Sequence, residues 1–383
     1  MPDQTDSEWR SRWASAIAAR ALPEIEQLVA ISSPSGDPRA AEEIVAAVTE
    51  MAPAAAAIER IPCSSPAHAP DLVARLAGEG GGRLLLVGHL DTVVPHRGHQ
   101  PTRRDGDMLI GSGTIDMKGG VALALGVMRA LADAPHRFAE AALLLVNDEE
   151  FRTEPFAHGP RFEGFDACLC FEGGERTAGG EEAVVVRRKA AAAIRVEASG
   201  VAAHAGADPD AGSNALLALA AVAVGLAGHH RPDGSEALSV VPTMIAAGEG
   251  INVVPGGGEL SIDMRADDEA SFEPVIDSIP SRSGGVGLEV ERLRLWPGMD
   301  MEAAAAPALA RASELLGRPI VGAARGGASD ASNLAPHLPL AIDGLGPLGG
   351  AAHSPAEHVL VDSLAERAAV ALAVAAAVLD VPG

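Results

Sequence analysis

Basic residues are scarce in this chain, in which 29 Lys and Arg face 52 Asp and Glu over 383 residues, a formal net charge of −23. A surface of that sign repels the phosphates of nucleic acids and of anionic membranes, so we expect neither as a partner. The same negative field raises the local concentration of cations. The charge balance therefore suits a metal protein without demonstrating one.

Cysteine is also scarce, and long apolar runs are missing. The three cysteines, Cys63, Cys168 and Cys170, make an odd count without zinc-finger spacing, so the sequence predicts no disulfide framework and fits a reducing compartment. The longest apolar run, Ala368 to Leu379, is shorter than the about 20 residues that span a bilayer. Residues 1–6 are acidic and have no apolar signal core. Together these absences predict a soluble protein of the cytoplasm.

Length and apolar patterning predict two domains. Hydrophobic residues make up 48% of the chain, and 383 residues exceed the size at which a single core usually keeps growing. Short, wholly apolar strands at 84–87, 141–146 and 167–171 alternate with helical segments, an order typical of a mostly parallel sheet with helices on both faces. Between 184 and 296 the order becomes β-α-β-β-α-β, which predicts a ferredoxin-like α+β domain. We therefore predict an α/β domain of residues 1–183 and 297–383, into which residues 184–296 are inserted.

Five groups of acidic residues and histidines fall at the ends of apolar strands or beside glycine-rich turns: His89 with Asp91, Asp116, Glu149 with Glu150, Glu172, and His353. Singly, each has an ordinary explanation, such as a helix N-cap for Asp116 or a solvated turn for the two glutamates. In open α/β sheets, however, sites lie outside the carboxyl ends of the strands. Two histidines with three or four carboxylates suit zinc, cobalt or manganese, and one carboxylate can bridge two ions. The sequence therefore predicts a metal site at this edge of the sheet.

This combination of motifs resembles the dinuclear zinc metallopeptidase family that includes glutamate carboxypeptidase, acetylornithine deacetylase, succinyl-diaminopimelate desuccinylase and aminoacylase. The resemblance covers nearly the whole chain and is closest in pattern to glutamate carboxypeptidase. It implies two zinc ions, with cobalt or manganese as alternatives, and a cis peptide bond after Asp116. The implied roles are metal ligation by His89, Glu172, Glu150 and His353, bridging by Asp116, orientation of the His89 ring by Asp91, and proton transfer by Glu149 as general base.

The inserted domain carries further motifs of the same family, which give it the role of a lid. One segment resembles the stretch whose histidine, here His204, reaches across a dimer and stabilises the oxyanion in the partner's active site. Asn252 and Arg265 match positions that hold the carboxylate of the substrate. Without the resemblance, His204 reads as a polar residue beside a helix, and Arg265 as an ion-pair partner of Asp263 or Asp267.

Two other segments bear on the substrate and on assembly. Gly326–Asp330 resembles a loop that lines the substrate pocket, with Gly327 and Ser329 as candidate substrate-binding residues. The segment 212–226 reads as an alanine-rich helix that is apolar on every face, and one small sheet can cover only one of its sides. Because a two-fold pairing would cover the other side, we predict a homodimer that forms through the lid domains.

One segment departs from the family pattern. After Asp148-Glu149-Glu150 the family usually has a glycine-serine turn, whereas this chain continues with Phe151-Arg-Thr-Glu-Pro155. The shape of the loop beside the general base is therefore open at this point. Glu172, where an aspartate could stand, resembles the carboxypeptidases and deacylases rather than the aminopeptidases.

The resemblance implies a hydrolase that cleaves an amide bond in a peptide or an N-acyl amino acid with a free carboxylate. A small-molecule deacylase such as acetylornithine deacetylase or desuccinylase would share every metal ligand and is an alternative. A third hypothesis is a dimeric binding protein that has kept the fold and lost turnover. The intact ligand set and the intact Glu149 argue against that third hypothesis.

Overall fold

The computed structural model describes residues 4–380, and these form two compact units. The first unit comprises the described residues up to Arg187, Asp300–Ala324, and the described residues from Ser329 onwards. The second comprises Arg188–Met299 and Arg325–Ala328. The second unit is therefore an insertion in the sequence of the first, with boundaries a few residues beyond the 184 and 296 expected from the pattern.

The helices and strands are numbered here in chain order. The helices are α1 (Gln4–Val29), α2 (Pro38–Met51), α3 (Gly119–Ala132), α4 (Ala215–Ala227), α5 (Glu273–Asp277), α6 (Glu302–Leu316), α7 (Asp330–Leu334) and α8 (Ser363–Asp380). The strands are β1 (Ala57–Ile61), β2 (Asp71–Ala77), β3 (Arg83–His89), β4 (Arg103–Asp105), β5 (Met108–Ile110), β6 (Glu140–Val146), β7 (Ala167–Cys170), β8 (Glu175–Arg176), β9 (Glu182–Arg188), β10 (Ala190–Ser199), β11 (Ala203–His204), β12 (Ser239–Ala247), β13 (Val253–Val254), β14 (Gly257–Ala266), β15 (Arg282–Ser283), β16 (Val286–Trp296), β17 (Met299–Asp300), β18 (Ile320–Arg325), β19 (Ala341–Ile342), β20 (Gly349–Gly350) and β21 (His358–Leu360).

The first unit is built on a six-stranded sheet of order β1-β2-β6-β3-β7-β19. Strands β6, β3, β7 and β19 run parallel. At one side β2 pairs antiparallel with β6, and β1 pairs antiparallel with β2. The predicted mostly parallel sheet is therefore confirmed. All four residues from Leu84 to Val87 are fully buried. Because successive strand residues point to opposite faces, both faces of the sheet are covered at this strand.

The parallel pairing sets the position of the candidate site. Strand β3 ends at His89, β6 ends at Val146 just before Asn147–Glu150, and β7 ends at Cys170 just before Phe171 and Glu172. In register, Leu84 of β3 faces Ala141 of β6 and Ala167 of β7. The carboxyl ends of the three strands therefore meet at one edge of the sheet, as expected for a site of an open α/β sheet.

The second unit is a five-stranded antiparallel sheet of order β12-β14-β10-β16-β15. The chain order β10-α4-β12-β14-α5-β16 confirms the predicted ferredoxin-like arrangement. Helix α4 packs on this sheet through Ala215, Ala218, Leu219, Val222 and Leu226. Helix α5, Glu273–Asp277, is short, and a separate short turn precedes it at Glu269–Ser271.

Two expectations from composition have structural counterparts. Cys168 and Cys170 are buried in β7, and none of the three cysteines, all of which lie among the described residues, forms a disulfide. Across residues 4–380 no helix combines the length and the apolar character needed to cross a bilayer. The cytoplasmic location stays a prediction.

Candidate active site

The carboxylate of Asp116 lies between the two histidines that were expected to bind metal. His89 Nε2 is 3.0 Å from Asp116 Oδ1, and His353 Nε2 is 2.9 Å from Asp116 Oδ2. The three side chains come from the end of β3, the turn before α3 and the loop before β21. Each oxygen of one carboxylate therefore faces a different imidazole, the arrangement that a bridging ligand between two ions requires.

Glu172 and Glu150 lie beside different histidines. Glu172 Oε1 is 3.8 Å from His89 Nε2, and Glu150 Oε1 is 3.4 Å from His353 Nε2. The Glu150 oxygen is buried and has no well-formed hydrogen bond among the described residues. The contacts thus fall into a His89–Glu172 side and a His353–Glu150 side, with Asp116 shared by both.

The backbone around Asp116 is shaped by two glycines and one distant carboxylate. Gly113 has a positive φ of 78°, and a Cβ atom on Gly120 would lie 1.8 Å from the carbonyl oxygen of Phe171, so glycine is needed at both positions. The peptide bond between Asp116 and Met117 is cis, as predicted.

Glu357 holds the same loop, although no motif in the sequence marks it. Its carboxylate accepts hydrogen bonds from the backbone amides of Gly113 at 3.0 Å and of Ile115 and Asp116 at 3.1 Å. Glu357 is 3% exposed and follows His353 by four residues. One buried carboxylate therefore ties the loop of Asp116 to the loop of His353.

Asp91 contacts both the ring of His89 and the backbone of the two glutamates. His89 Nδ1 lies 3.0 Å from the Asp91 carbonyl oxygen and 3.4 Å from Asp91 Oδ1, so this nitrogen faces acceptors and carries the proton. When the ring carries only that proton, the other nitrogen, Nε2, has a lone pair that can bind a metal. The Asp91 carboxylate also accepts the backbone N–H groups of Glu149 at 3.2 Å and Glu150 at 3.1 Å.

The electrostatics of this cluster favour bound positive charge. Burial alone would lower the pKa of His89, but its hydrogen bonds with Asp116 and Asp91 raise that pKa well above the ordinary value. Asp116 and Glu150 likewise raise the pKa of His353 to about 10.

The carboxylates of the cluster shift in opposite directions. Burial raises the pKa of Glu149, and the nearby charge of Glu172 raises it further. Burial would also raise the pKa of Asp116, yet hydrogen bonds from His353 and His89 hold it well below its usual range.

These residues fit a divalent metal centre. One ligand atom each from His89, Asp116 and Glu150 lies within 4.8 Å of the others. Imidazole and carboxylate donors are those that zinc, cobalt and manganese accept. The buried Glu150 oxygen without a hydrogen bond is an acceptor that a cation would satisfy. Crowded carboxylates that draw protons onto two histidines would equally draw metal cations.

A second group of potential ligands lies in the same unit but has protein partners. Cys63, Asp71 and Asp148 also bring ligand atoms within 4.8 Å of one another. Asp71 Oδ2 is 2.8 Å from His158 Nε2, and Asp148 Oδ1 accepts hydrogen bonds from Arg152 at 3.0 and 3.2 Å. A cation there would have to displace the Arg152 guanidinium. We therefore interpret this group as a buried polar network and not as a second metal centre.

His204 and Asn252 are neighbours in the second unit. Strand β11, which ends in His204, pairs with β13, and the Ala205 amide donates to the Asn252 carbonyl oxygen at 2.9 Å. His204 is exposed, and its Nδ1 accepts the backbone N–H groups of Gly206 and Ala207, each at 3.1 Å. Because Nδ1 accepts, the proton of the neutral ring is on Nε2, which leaves a hydrogen-bond donor directed away from the backbone.

The remaining candidate substrate residues have partners of their own. Arg265 makes a bidentate ion pair with Asp263, at 3.0 and 3.1 Å. This is the role of ion-pair partner that the sequence suggests without the family resemblance. Gly327 lies in an exposed loop of the second unit, where its carbonyl oxygen accepts a hydrogen bond from Arg188. Ser329 is fully buried in the first unit and its hydroxyl donates to Asp343. Substrate binding by Arg265, Gly327 and Ser329 stays a prediction.

Comparison with known proteins decides the family. Residues 85–377 match the profile of Peptidase family M20/M25/M40. The chain belongs to this family. It is 28% identical to carboxypeptidase G2 of a Pseudomonas species over 271 residues, an alignment that covers 68% of this chain and 63% of that protein. It is 29% identical to succinyl-diaminopimelate desuccinylase of Gluconacetobacter diazotrophicus over 329 residues, covering 78% of this chain and 82% of the relative.

Solved structures of similar fold agree with this assignment. Aminopeptidase PepT of Bacillus cereus is 20% identical with a TM-score of 0.74, and a tripeptidase of Staphylococcus aureus is 21% identical with a TM-score of 0.75. Each comparison covers 94% of this chain and 98% of the other chain. At these identities the likeness establishes the fold alone. Family membership makes this M20 protein a hydrolytic enzyme of the metallopeptidase type, which sets aside the hypothesis of a binding protein without turnover.

Proposed function

We propose that this M20 enzyme hydrolyses the amide bond of a peptide or N-acyl amino acid with a free carboxylate, in the manner of a glutamate carboxypeptidase. The observation that carries the proposal is the Asp116 carboxylate, with one oxygen 3.0 Å from His89 and the other 2.9 Å from His353. A shared carboxylate flanked by two separate ligand groups supports a two-metal hydrolytic site.

Two zinc ions are the proposed cofactors, with cobalt or manganese as metals that the same donors accept. His89 and Glu172 would hold one ion, Glu150 and His353 the other, and Asp116 both. When bound, the ions polarise the scissile carbonyl and lower the pKa of the attacking water. Asp91 would keep the His89 ring in the tautomer whose Nε2 can bind metal, a role supported by its carbonyl oxygen 3.0 Å from His89 Nδ1.

Glu149 is the proposed general base. It is next to the ligand Glu150, and Asp91 accepts the backbone N–H groups of both residues, so their relative placement is fixed. The Glu149 carboxylate takes the proton of the attacking water and returns it to the amine that leaves. Because Glu149 would transfer protons and Glu150 would bind metal, replacement of Glu149 should impair turnover, whereas replacement of Glu150 should impair metal binding.

Residues of the second unit are proposed to bind the substrate. His204 has its proton on Nε2 and can donate a hydrogen bond from that nitrogen to the oxyanion. One such donor is worth about 3–4 kcal/mol. Asn252, beside His204, and Arg265 would hold the substrate carboxylate. The substrate carboxylate would replace Asp263 as the partner of Arg265, because a guanidinium can bind either carboxylate in a bidentate contact.

The lid of a second copy is proposed to cover the outer side of helix α4. Leu217 and Val224 on that side are 63% and 76% exposed, while the opposite side of the helix is buried on the sheet. Strand β12 lies at the edge of the same sheet and exposes Met244 by 66%. A two-fold contact between two such surfaces would bury apolar area on both and close the assembly.

A small-molecule deacylase is the second candidate function. It is favoured by the longer alignment with the relative named succinyl-diaminopimelate desuccinylase, which spans 82% of that relative against 63% for carboxypeptidase G2. Both functions use every residue assigned above. They differ in whether the group released from the amino acid is another amino acid or a simple acyl chain.

A substrate panel tests the proposal and separates the two candidates. The zinc-loaded protein would be assayed for amine release from dipeptides with C-terminal glutamate, other dipeptides, N-acetyl amino acids and N-succinyl amino acids. We expect the highest kcat/KM for a substrate with a C-terminal carboxylate, and amidation of that carboxylate should lower kcat/KM strongly. Preference for N-succinyl or N-acetyl diamino acids would establish the deacylase instead, and no hydrolysis of any carboxylate-bearing amide would refute both.

A further inference from the structure

Arg152 occupies the segment that departs from the family's glycine-serine turn, and its charge is buried. The side chain is 4% exposed. Its two terminal nitrogens donate to Asp330, to Oδ1 at 2.7 Å and to Oδ2 at 3.2 Å. Nε and one terminal nitrogen also donate to Asp148 Oδ1, at 3.2 and 3.0 Å. The guanidinium therefore bridges two carboxylates that are themselves buried, Asp148 fully and Asp330 by all but 3%.

This ion pair closes a short loop that contains both functional glutamates. Asp148 directly precedes Glu149 and Glu150, and Arg152 returns to Asp148 across them. The bidentate contact with Asp330 then fixes the loop to the start of helix α7, an element that follows in the chain only much later. A planar guanidinium presents its donors in a fixed fork, which suits a bidentate contact with one carboxylate and further contacts with another, whereas an ammonium group lacks that fork.

Further contacts hold the same loop on its other sides. The Ser65 amide and hydroxyl donate to Asp148 Oδ2 at 2.9 and 2.7 Å, and the Thr153 amide donates to the Ser65 hydroxyl at 2.9 Å. The Arg152 guanidinium also lies 4.9 Å from the centre of the Phe156 ring. Asp91 in addition accepts the backbone amides of Glu149 and Glu150. Hydrogen bonds therefore fix the loop at the two glutamates and at the residues on both sides of them.

We infer that Arg152 is a positioning residue, whose ion pairs with Asp148 and Asp330 set the direction of the Glu149 and Glu150 side chains. The inference rests on the proposed function for Glu149, but not for metal binding by Glu150, which can be measured without a substrate. Buried partners that orient a metal ligand typically change metal affinity or activity by about 10–100-fold when they are replaced. We expect losses of that size for Arg152, although it would touch neither metal nor substrate.

The test compares Arg152→Lys and Arg152→Met with a matched pair elsewhere in the same unit. Arg129 makes a largely buried, bidentate ion pair with Glu24, at 2.7 Å for both contacts, near the carboxyl end of helix α3. The control is therefore Arg129→Lys. Zinc affinity would be measured by competition with a chromogenic chelator, kcat and KM on the best substrate, and folding by thermal unfolding. Asp330→Asn serves as an independent variant of the same contact.

We expect Arg152→Lys and Asp330→Asn to weaken zinc binding and to lower kcat, each by about tenfold or more, while KM changes less than threefold. Arg152→Met should be worse than Arg152→Lys, because lysine restores one of the two ion pairs. Arg129→Lys should lower the unfolding temperature but leave zinc affinity and kcat within twofold. If Arg152→Met does not fold, Arg152→Lys and Asp330→Asn decide the question by the same criteria.

Two results would overturn the inference. The first is wild-type zinc affinity and kcat in folded Arg152→Lys and Asp330→Asn proteins. The second is an equal loss of zinc affinity in Arg129→Lys, which would trace the effect to general destabilisation. A protein that binds zinc as expected but hydrolyses no substrate would instead refute the proposed function, and zinc affinity would still judge Arg152.

Discussion

His89 and His353 face opposite oxygens of a single carboxylate, that of Asp116, at 3.0 and 2.9 Å. The two histidines lie far apart in the sequence, and His89 is buried while His353 is half exposed. Asp116 therefore joins an interior half of the site to a more open half. The open half also contains Glu150, whereas Glu172 lies on the side of His89. This division gives Glu150 and Glu172 different histidine neighbours, and hence expected ligand roles on different sides of Asp116.

Replacement of Glu149 and Glu150 should produce two distinct defects. Glu149→Ala should retain both zinc ions and lower kcat by about 100-fold or more, because only proton transfer is lost. Glu150→Ala should lose zinc, because the Glu150 oxygen beside His353 belongs to the ligand set. Elemental analysis of the purified variants and steady-state kinetics measure the two effects. A metal-depleted Glu149→Ala protein beside a metal-replete Glu150→Ala protein would reverse the assignment.

Glu357→Ala should impair metal binding without removing any ligand. Its carboxylate accepts the amides of Gly113, Ile115 and Asp116, and these donors would be left without their acceptor in the interior. The loop that presents Asp116 should then lose its fixed shape, so we expect zinc affinity to fall by about tenfold or more. Titration with a competing chelator measures the change.

A matched control for Glu357 is available at another loop. Asp37 also accepts two backbone amides, those of Arg39 and Ala40, where it caps helix α2. Asp37→Ala should reduce the free energy of unfolding by about 0.5–2 kcal/mol, as is usual for loss of a helix cap. Its zinc affinity should equal that of the wild type. Equal zinc affinity in Glu357→Ala and Asp37→Ala would contradict the positioning role of Glu357.

The strand-end residues could be predicted from the sequence because each follows a continuous apolar run. Leu84 to Val87 is buried on both faces, which is the pattern that predicted a covered parallel strand, and His89 stands where that strand ends. Parallel pairing then brings Glu149, Glu150 and Glu172 to the same edge without further assumptions. The resemblance to a known family added the roles of these residues and the cis bond after Asp116.

Glu357 and Arg152 could not be predicted, for two different physical reasons. The partners of Glu357 are backbone amides, and no residue pattern marks a loop whose N–H groups converge. The position four residues after His353 was the only available signal. Arg152 follows two glutamates in a charged segment, a pattern typical of an exposed turn. Its burial depends on Asp330, whose proximity arises only from the tertiary fold.

The buried pair of Glu182 and Arg367 should make stability depend on acidic pH. Glu182 accepts a hydrogen bond from Arg367 at 2.8 Å, and Arg367 is fully buried. Burial raises the pKa of Glu182, but hydrogen bonds from Arg176 and Arg367 hold it below its ordinary value of 4.5. A depressed pKa contributes stability above the unfolded-state value and loses it as pH falls through the folded-state value. The contribution should therefore be complete near pH 7 and disappear below about pH 4.5.

Comparison of the wild type with Glu182→Gln isolates this contribution from other carboxylates. At pH 7 the variant should be less stable by about 3–5 kcal/mol, because it breaks the buried ion pair of Glu182 and Arg367. The difference should narrow as the pH falls below 4.5, where the Glu182 carboxylate is protonated first in the unfolded state and then in the folded state. Urea unfolding at a series of pH values measures both curves. A difference that stays constant with pH would show that the charge of Glu182 is not what stabilises the unit.

The proposed role of His204 requires a second subunit, and subunit mixing tests it. His204→Ala and Glu149→Ala homodimers should each be nearly inactive, the first without the oxyanion donor and the second without the general base. If His204 serves the partner's site, a mixed dimer contains one site with an intact Glu149 and an intact His204. Equal mixing with full exchange gives half of the dimers as heterodimers, each with one intact site, so about a quarter of wild-type activity should return.

The exposed surface of helix α4 supplies the control for this mixing experiment. Leu217 and Val224 lie on the side of α4 that the sheet leaves exposed, so Leu217→Asp with Val224→Asp should prevent dimerisation without disturbing the buried side. Analytical ultracentrifugation should show monomers of this double variant, with kcat close to that of His204→Ala, because neither protein can present His204 to a partner. Zinc content should remain that of the wild type, since every proposed ligand lies in the first unit. A monomeric double variant with wild-type kcat, or no recovery of activity after verified exchange of subunits, would show that His204 does not act across a dimer.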